Sequence, residues 1–239
     1  MEAIILAGGK AERLGDAAGG LPKPLVQVAG RPLAGWQIGL LARAGIERVI
    51  VSCAAGTGDR FGEELSGFGA EIAIAEEQER LGRGGGIRFA ARQRRETGDV
   101  LALNGDELLD VDFRALLERH AANGAAATIT VAQPKSPFGV VELDDDRVSG
   151  FAEGGTIDCW VSCGIYVLGD EALDRFPERG DHESTAFPEL AEEGKLHAFR
   201  HEGPWLTVNT PKDLRRAEEY VSAHPEWLAA GRANERGGA

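Results

Sequence analysis

Cationic side chains and paired glycines are concentrated in the first 25 residues of the chain. Gly8-Gly9 follows a short apolar run, and Lys10, Arg13 and Lys23 come soon after it. Backbone N–H groups at paired glycines can approach a ligand closely, because no Cβ stands in the way. Open amides and converging cations at the end of a strand suit the binding of a polyphosphate. The opening segment therefore predicts a phosphate-binding loop.

This loop matches neither of two better-known phosphate motifs. The chain has no G-x-x-x-x-G-K-[ST], and Ala11 and Glu12 stand where G-x-G-x-x-G would need glycines. A dinucleotide-binding oxidoreductase would also need an acid at the end of the second strand, where Ser52-Cys53 supplies none. Both observations argue against a Walker A protein and against that class of oxidoreductase.

The elements that carry these residues alternate between strands and helices, which predicts an α/β fold with a mainly parallel sheet. The N-terminal half has predicted strands over 3–7, 48–53, 70–75, 99–104 and 125–132, and helices over 32–44, 59–65, 87–96 and 112–122. A strand-rich insert is predicted over 138–143 and 148–153. Later elements are helices over 169–176, 185–193 and 211–223, with a strand over 196–200 and a core strand near 205–209.

Composition restricts the class of protein and its partners. The 239 residues suffice for one large α/β domain, predicted over 1–223, with a frayed tail over 224–239. A formal net charge of -13 argues against nucleic acid and anionic membranes as partners. No apolar run approaches the ~20 residues of a membrane span. Cys53, Cys159 and Cys163 lack metal-like spacing to histidines, and Cys159 and Cys163 are expected on one face of a strand. A reduced, cytoplasmic protein is the expectation.

The opening segment resembles the signature of sugar-1-phosphate nucleotidyltransferases. Leu-Ala-Gly-Gly-x-x-x-Arg-Leu-Gly over 6–15 is followed by Leu-Pro-Lys-Pro-Leu over 21–25. The family usually has Gly and Thr where this chain has Ala11 and Glu12. The resemblance implies a Rossmann-like, three-layer α/β/α fold of the GT-A-like nucleotidyltransferase type, with a smaller strand-rich insert that binds sugar. The segment that carries Lys23 is expected to be exposed.

Three further motifs follow in the family's order along residues 3 to 220. They are Leu-Gly-x-Gly-Gly over 81–85, Gly-Asp at 105–106, and a sugar-phosphate segment that begins at Phe138-Gly139. The chain also departs from the family: Arg83 replaces the usual Thr, Gly154 the usual Lys, Ser162 the usual Asn, and Thr207 a common Asp.

The resemblance implies roles for residues at each motif. Catalytic roles fall to Arg13, Lys23 and Asp106, and Mg²⁺ is expected on Asp106 and Asn209. The implied nucleotide-binding residues are Leu6, Ala7, Gly8, Gly9, Lys10, Glu77, Leu81, Gly82, Gly84 and Gly85. The implied sugar-phosphate-binding residues are Asn104, Gly139, Glu153, Ser162 and Gly164. Because Asp106 and Asn209 each follow a predicted strand, both can lie at one edge of the sheet.

The implied reaction joins an NTP and a sugar 1-phosphate into an NDP-sugar and pyrophosphate. A carboxylate at Glu77 could accept from the N–H and NH₂ groups of guanine, which favours GTP and a mannose or heptose phosphate. Transfer of uridylyl from UTP to a hexose or amino-sugar phosphate is the alternative. A molybdopterin-type nucleotidyltransferase and a non-catalytic nucleotide-binding regulator are further alternatives. The sequence does not decide between a monomer and a homodimer.

Overall fold

Thirteen strands and seven α-helices lie within residues 1–9, 11–136 and 138–224, the part of the chain that the computed structural model describes. The strands are β1 (Glu2–Leu6), β2 (Gln27–Val28), β3 (Arg31–Pro32), β4 (Arg48–Ala54), β5 (Glu71–Glu77), β6 (Val100–Asn104), β7 (Glu107–Leu109), β8 (Ala127–Ala132), β9 (Gly139–Asp144), β10 (Arg147–Glu153), β11 (Val161–Leu168), β12 (Leu196–Arg200) and β13 (Trp205–Thr207). The helices are α1 (Leu33–Arg43), α2 (Gly58–Glu64), α3 (Gly82–Ala91), α4 (Phe113–Asn123), α5 (Asp170–Arg175), α6 (Ala186–Glu192) and α7 (Pro211–Ala223).

Seven of the strands form one sheet in the order β12-β8-β11-β6-β1-β4-β5. The neighbours β6, β1, β4 and β5 are all parallel to one another. β11 runs antiparallel to both β6 and β8, whereas β12 is parallel to β8. The predicted mainly parallel α/β sheet is therefore confirmed.

Apolar side chains on both faces of β1 explain why the sheet lies between two layers of helices. Ala3 and Ile5 belong to a core that includes residues of α1, α4 and α7. Ile4 belongs to a second core, which includes residues of α3, α5 and α6. Successive side chains of a strand point to opposite faces, so a continuous apolar run is buried on both sides. The result is the predicted three-layer α/β/α arrangement.

Six strands lie in two-stranded sheets outside the central one. The pairs are β2 with β3, β7 with β13, and the antiparallel hairpin of β9 with β10. The hairpin confirms the predicted strand-rich insert. The strand near 205–209 was expected in the core sheet, and this is wrong, because Trp205–Thr207 pairs with β7 instead.

Most helix boundaries agree with the sequence pattern, but α3 does not. The helix predicted over 87–96 instead begins at Gly82 and ends at Ala91. Gly84, Gly85 and Gly86, which precede the predicted start, lie within its first two turns. The C-terminal helix is confirmed over 211–223: the Thr210 hydroxyl accepts from Asp213 N–H at 3.2 Å, and the Asp213 carboxylate accepts from Thr210 N–H. Reciprocal capping of this kind fixes a helix start.

The remaining expectations concern the cysteines and the chain end. Cys159 precedes β11 and is exposed, whereas Cys163 is buried within that strand, so the expected common strand face is wrong. The predicted tail lies outside the described residues, apart from His224, and the domain boundary stays a prediction. Among the described helices, none has the length and apolar character needed to cross a membrane.

A buried histidine makes the fold sensitive to acid. His182 is packed among the rings of Tyr166, Phe176 and Phe187, and neither of its ring nitrogens has a hydrogen-bond partner within the described residues. Burial lowers the pKa of His182 to about 4, opposed by Glu183 and Asp181. Its ordinary pKa is about 6.5, so between pH ~6.5 and ~4 the unfolded chain binds more protons, and stability falls as pH falls.

Replacing this histidine should flatten the pH dependence of stability. The difference between the two pKa values amounts to about 3 kcal/mol, present above pH 6.5 and lost as pH falls towards 4. We expect His182→Leu to lose less stability than the wild type between pH 7 and pH 4.5, as measured by urea unfolding at each pH. Equal losses in the two proteins would show that His182 is not the acid-sensitive group.

Candidate active site

The carboxyl ends of four adjacent parallel strands open into one cavity of about 560 Å³. Leu6 of β1, Ala54 of β4, Glu77 of β5 and Asn104 of β6 all line it. This volume is typical of small-molecule sites. Ligands of open α/β sheets bind at the carboxyl edge of the strands, so the position of the cavity is the expected one.

The paired glycines form one wall of the cavity. Gly8 and Gly9 line it, and a Cβ added at either position would have no protein atom within 4 Å. The space in front of their backbone is therefore free for a ligand. Ala7 is buried and donates its N–H to the Ser52 carbonyl at 2.7 Å, and Lys10 lies outside the described residues. Nucleotide contact at these positions stays a prediction.

The side chain of Lys23 joins the two residues that were predicted to bind Mg²⁺. Its ammonium donates to Asp106 Oδ2 and to Asn209 Oδ1, both at 2.6 Å. Lys23 is only 8% exposed, so the expectation of an exposed Pro-Lys-Pro segment is wrong. The segment turns inward because residues 23–25 form a short 3-10 helix whose side chains are buried.

A second, smaller cavity of about 170 Å³ lies on the other side of Lys23. Arg13, Arg80, Glu12 and Asn209 line it together with Lys23, so three cations and one acidic residue meet there. Arg80 also lines the larger cavity. No hydrogen bond or ion pair to another described residue holds its guanidinium. Sequence reasoning missed Arg80, although its place between a strand end and the glycines of α3 could have indicated it.

Asn209 is brought near Asp106 by different strands from those expected. It follows β13, which pairs with β7, and β7 begins immediately after Asp106. Val208 N–H also donates to the Asp106 carbonyl at 3.2 Å. The small β7–β13 sheet, rather than the edge of the main sheet, therefore brings the two oxygens together.

A buried glutamine fixes the turn that carries Asp106. The amide nitrogen of Gln37, in α1, donates to the carbonyls of Asn104 and Glu107, each at 2.7 Å. These two carbonyls lie on either side of Gly105-Asp106. A Cβ at Gly105 would stand 2.5 Å from the Leu6 carbonyl, so this turn needs glycine against β1. Gln37 and Gly105 together restrict where the Asp106 side chain can lie.

A second carboxylate, Glu107, lies beside Asp106 and was not singled out from the sequence. It lines the larger cavity, and its Oε2 accepts from the indole of Trp205 at 2.7 Å. Burial and the neighbouring Asp106 charge raise the pKa of Glu107 to about 8, against the opposing effects of Trp205 and Lys23. Lys23 thus faces two adjacent acidic groups.

Two glycines of α3 closely approach the protein's own backbone. A Cβ at Gly84 would lie 2.7 Å from His182 N, and one at Gly85 would lie 2.5 Å from the Glu178 carbonyl. Gly84 N–H donates to the Gly180 carbonyl at 2.9 Å, and neither glycine lines the cavity. Gly84 and Gly85 therefore pack against residues 177–182, and their contact with a nucleotide stays a prediction.

The rest of this segment is divided between the cavity and the protein interior. Gly82 lines the larger cavity, whereas Leu81 does not. Glu77 lines it too, but its oxygens already accept from Ser52 Oγ at 2.8 Å and from Leu81 N–H at 3.1 Å. A carboxylate has about four acceptor sites, so two remain for a ligand. Base recognition by Glu77 stays a prediction.

Only one of the predicted sugar-phosphate residues lines the larger cavity. Asn104 does, and its Oδ1 is buried without a partner in the described part of the chain. Its side chain lies over Gly164, whose φ is +69° and whose Cβ would stand 2.3 Å from Asn104 Nδ2. Ser162 is in the same strand, while Gly139 and Glu153 pair at the base of the exposed hairpin. These four residues do not line the cavity.

A family model described as "Nucleotidyl transferase" matches residues 2–224 of the chain. The chain belongs to the nucleotidyl transferase family. The predicted family is therefore confirmed, and the class of dinucleotide-binding oxidoreductases is excluded.

Relatives within the family are similar to this chain over most of its length. Mannose-1-phosphate guanyltransferase beta-A of Xenopus laevis is 30% identical over 248 residues, which cover 97% of this chain and 69% of the relative. Mannose-1-phosphate guanyltransferase of Candida albicans is 31% identical, with 95% and 68% covered.

Solved structures share the fold at lower identity. HddC from Yersinia pseudotuberculosis superimposes with a TM-score of 0.73 at 23% identity, and covers 92% of this chain and 99% of its own. The inositol-1-phosphate CTP transferase from T. maritima gives a TM-score of 0.72 at 20% identity, with 94% and 96% covered. These similarities establish the fold of this nucleotidyl transferase family member.

A methyl group at Gly85 should destabilise the protein, because it would lie 2.5 Å from the backbone carbonyl oxygen of Glu178, which is closer than van der Waals contact. We expect Gly85→Ala to cost about 1–3 kcal/mol in the free energy of unfolding, measured with urea. Gly62→Ala in α2 is the matched control: no atom lies within 4 Å of the added Cβ, so we expect a gain of about 0.5–1 kcal/mol. If Gly85→Ala left the free energy of unfolding unchanged but raised the KM for nucleotide, Gly85 would be a ligand contact instead.

Proposed function

We propose that this nucleotidyl transferase family member transfers guanylyl from GTP to a sugar 1-phosphate of the mannose class. The products are a GDP-sugar and pyrophosphate. The observation that carries the proposal is the junction of Lys23 with Asp106 and Asn209, which lies between the two cavities and beside the Gly8-Gly9 loop. Support for guanine and mannose comes from the named relatives, and HddC was also solved in complex with GMP-PN.

The reaction brings two anions together, so its main demand is neutralisation and alignment of charge. A phosphate oxygen of the acceptor attacks the α-phosphorus in line; that P–O bond forms while the bond to the β-phosphate breaks, and pyrophosphate leaves. The backbone of Gly8 and Gly9 would receive the triphosphate, and Arg13, Lys23 and Arg80 would balance its charge. Groups placed in advance in this way stabilise charge as it develops.

Asp106 and Asn209 fit a magnesium site. Their oxygens are at most about 5.2 Å apart, since each lies 2.6 Å from one ammonium nitrogen. Carboxylate and amide oxygens are hard ligands of the kind that Mg²⁺ takes, with phosphates and water completing the shell. No group of three or more His, Cys, Asp or Glu side chains in the described chain could hold a metal by itself. When bound, Mg²⁺ would supply positive charge to the α-phosphate and the leaving pyrophosphate.

The acceptor would lie next to Asn104. The unpartnered Oδ1 of this residue is a buried acceptor that a sugar hydroxyl could satisfy, which would remove the cost of leaving it unpaired. Gly154 stands where relatives of this kind usually carry a phosphate-binding lysine. The hairpin therefore offers no lysine at that position to hold the acceptor phosphate. Cytoplasmic location also stays a prediction.

Product formation from a grid of substrates tests the proposal. Each of four NTPs is incubated with Mg²⁺ and one of several sugar 1-phosphates (mannose, a heptose, glucose and an N-acetyl amino sugar), and NDP-sugar and pyrophosphate are both measured. We expect the highest kcat/KM with GTP and mannose or heptose 1-phosphate. A clear preference for UTP would favour the uridylyl alternative, and pyrophosphate release with none of the sugars would contradict a sugar acceptor.

Removal of Arg80 should weaken binding of the nucleotide. We expect Arg80→Ala to raise the KM for NTP about tenfold, the scale for one charge-assisted hydrogen bond at a partly exposed site, with a smaller change in kcat. Arg60→Ala, which removes another exposed cation, in α2, is the matched control and should leave KM unchanged. An unchanged KM for NTP in both variants would show that Arg80 does not bind the nucleotide.

A further inference from the structure

The ammonium of Lys23 lies where the proposed metal ion would lie. It contacts Asp106 Oδ2 and Asn209 Oδ1 at 2.6 Å, and these are the two protein oxygens that suit Mg²⁺. The residue is 8% exposed, and the side chain of Asp106 is 33% exposed. The contact is therefore largely shielded from water rather than a loose surface ion pair. The protein's own ammonium group therefore satisfies both of the proposed metal ligands.

The ammonium and a divalent ion cannot share this position. Both would use the same two oxygens, and their like charges would repel strongly at a separation of a few ångströms. Asp106 supplies one negative charge and Asn209 supplies none, so the Lys23 ammonium matches the charge of the two side chains that it contacts, while the neighbouring Glu107 accepts from Trp205. A metal ion must therefore displace Lys23 before it can bind both oxygens.

The smaller cavity offers the Lys23 ammonium a second position. Lys23 lines both the 560 Å³ cavity and the 170 Å³ cavity, and the smaller one is also lined by Arg13, Arg80 and the single acidic residue Glu12. A lysine ammonium is a compact charge on a flexible four-carbon stem, which allows it to move between nearby partners. Phosphate groups that lie between these three cations would offer Lys23 strong acceptors away from Asp106.

We propose that Lys23 acts as an internal cation that holds the metal position in the nucleotide-free protein and leaves it when nucleotide phosphates bind. The metal ion then enters together with the nucleotide and is kept out in its absence. This inference rests on the proposed function, because it takes Asp106 and Asn209 as the metal ligands and an NTP as the substrate.

Metal binding without nucleotide tests the exchange. Mn²⁺ is titrated into the nucleotide-free protein, and free Mn²⁺ is measured by electron paramagnetic resonance. Lys23→Met keeps the length and apolar character of the stem but removes the charge. We expect it to bind Mn²⁺ at least about tenfold more tightly than the wild type, because a competing unit charge within a few ångströms of the ion is gone.

Two further variants show whether the effect is local. Lys23→Gln removes the charge but retains a hydrogen-bond donor for Asp106 and Asn209, so we expect it to bind Mn²⁺ more tightly than the wild type as well. Circular dichroism shows whether each variant folds, and the Gln variant still tests the exchange if the Met variant does not fold. Arg13→Met removes another cation of the small cavity that has no contact with Asp106, and should change Mn²⁺ affinity much less. Adding Asp106→Asn to Lys23→Met should abolish the gain.

Equal Mn²⁺ affinity in the wild type and both Lys23 variants would overturn the exchange, as would an equal gain in Arg13→Met. Failure of the proposed function has a different signature. If the Lys23 variants gain Mn²⁺ affinity while the wild type makes no GDP-sugar, the exchange stands and the choice of base or acceptor is wrong. If GDP-sugar forms but no gain is seen, the function stands and the exchange is wrong.

Discussion

The contact of one ammonium group with two side-chain oxygens organises the whole site. Lys23 meets Asp106 across 83 positions and Asn209 across 186, so three distant segments converge on a single nitrogen atom. The parallel strands bring the Gly8-Gly9 loop and Asp106 to the same edge, and the β7–β13 pair adds Asn209. Because a buried charge is costly unless it is paired, each segment constrains where the others can lie.

Hydrogen bonds from neighbouring residues hold this arrangement in place. Gln37 fixes the turn before and after Asp106, and Thr210 and Asp213 fix the start of the helix that follows Asn209. The glycines of α3 allow that helix to pack closely against residues 177–182. Hydrogen bonds therefore hold the turn that carries Asp106 and the segment that follows Asn209, as a site that aligns phosphates requires.

Local sequence patterns predict the elements well because burial and capping act over short distances. The apolar runs locate β1, β4 and β6, and the Thr210-Pro211 pair marks the start of α7. The pattern fails where a residue's partner is distant in sequence. Gly84 and Gly85 are predicted to lie close to a nucleotide, and the sequence gives no sign that residues 177–182 pack against them.

The same limit explains what was missed at the site. Lys23, Asp106 and Asn209 were singled out from motifs that resemble a family, but the burial of Lys23 between the other two depends on contacts across the whole chain. Arg80 stands in a run of charged residues that reads as a solvated loop, and only the two cavities show that it faces Arg13. Sequence identifies the chemical groups, whereas the fold determines which of them meet.

The most direct measurement is a crystal structure with a non-hydrolysable GTP analogue and Mn²⁺, with the anomalous signal used to locate the ion. The account predicts an anomalous peak bonded to Asp106 and Asn209, with the Lys23 ammonium moved onto phosphate oxygens. A peak elsewhere, with Lys23 still bonded to both side chains, would contradict it.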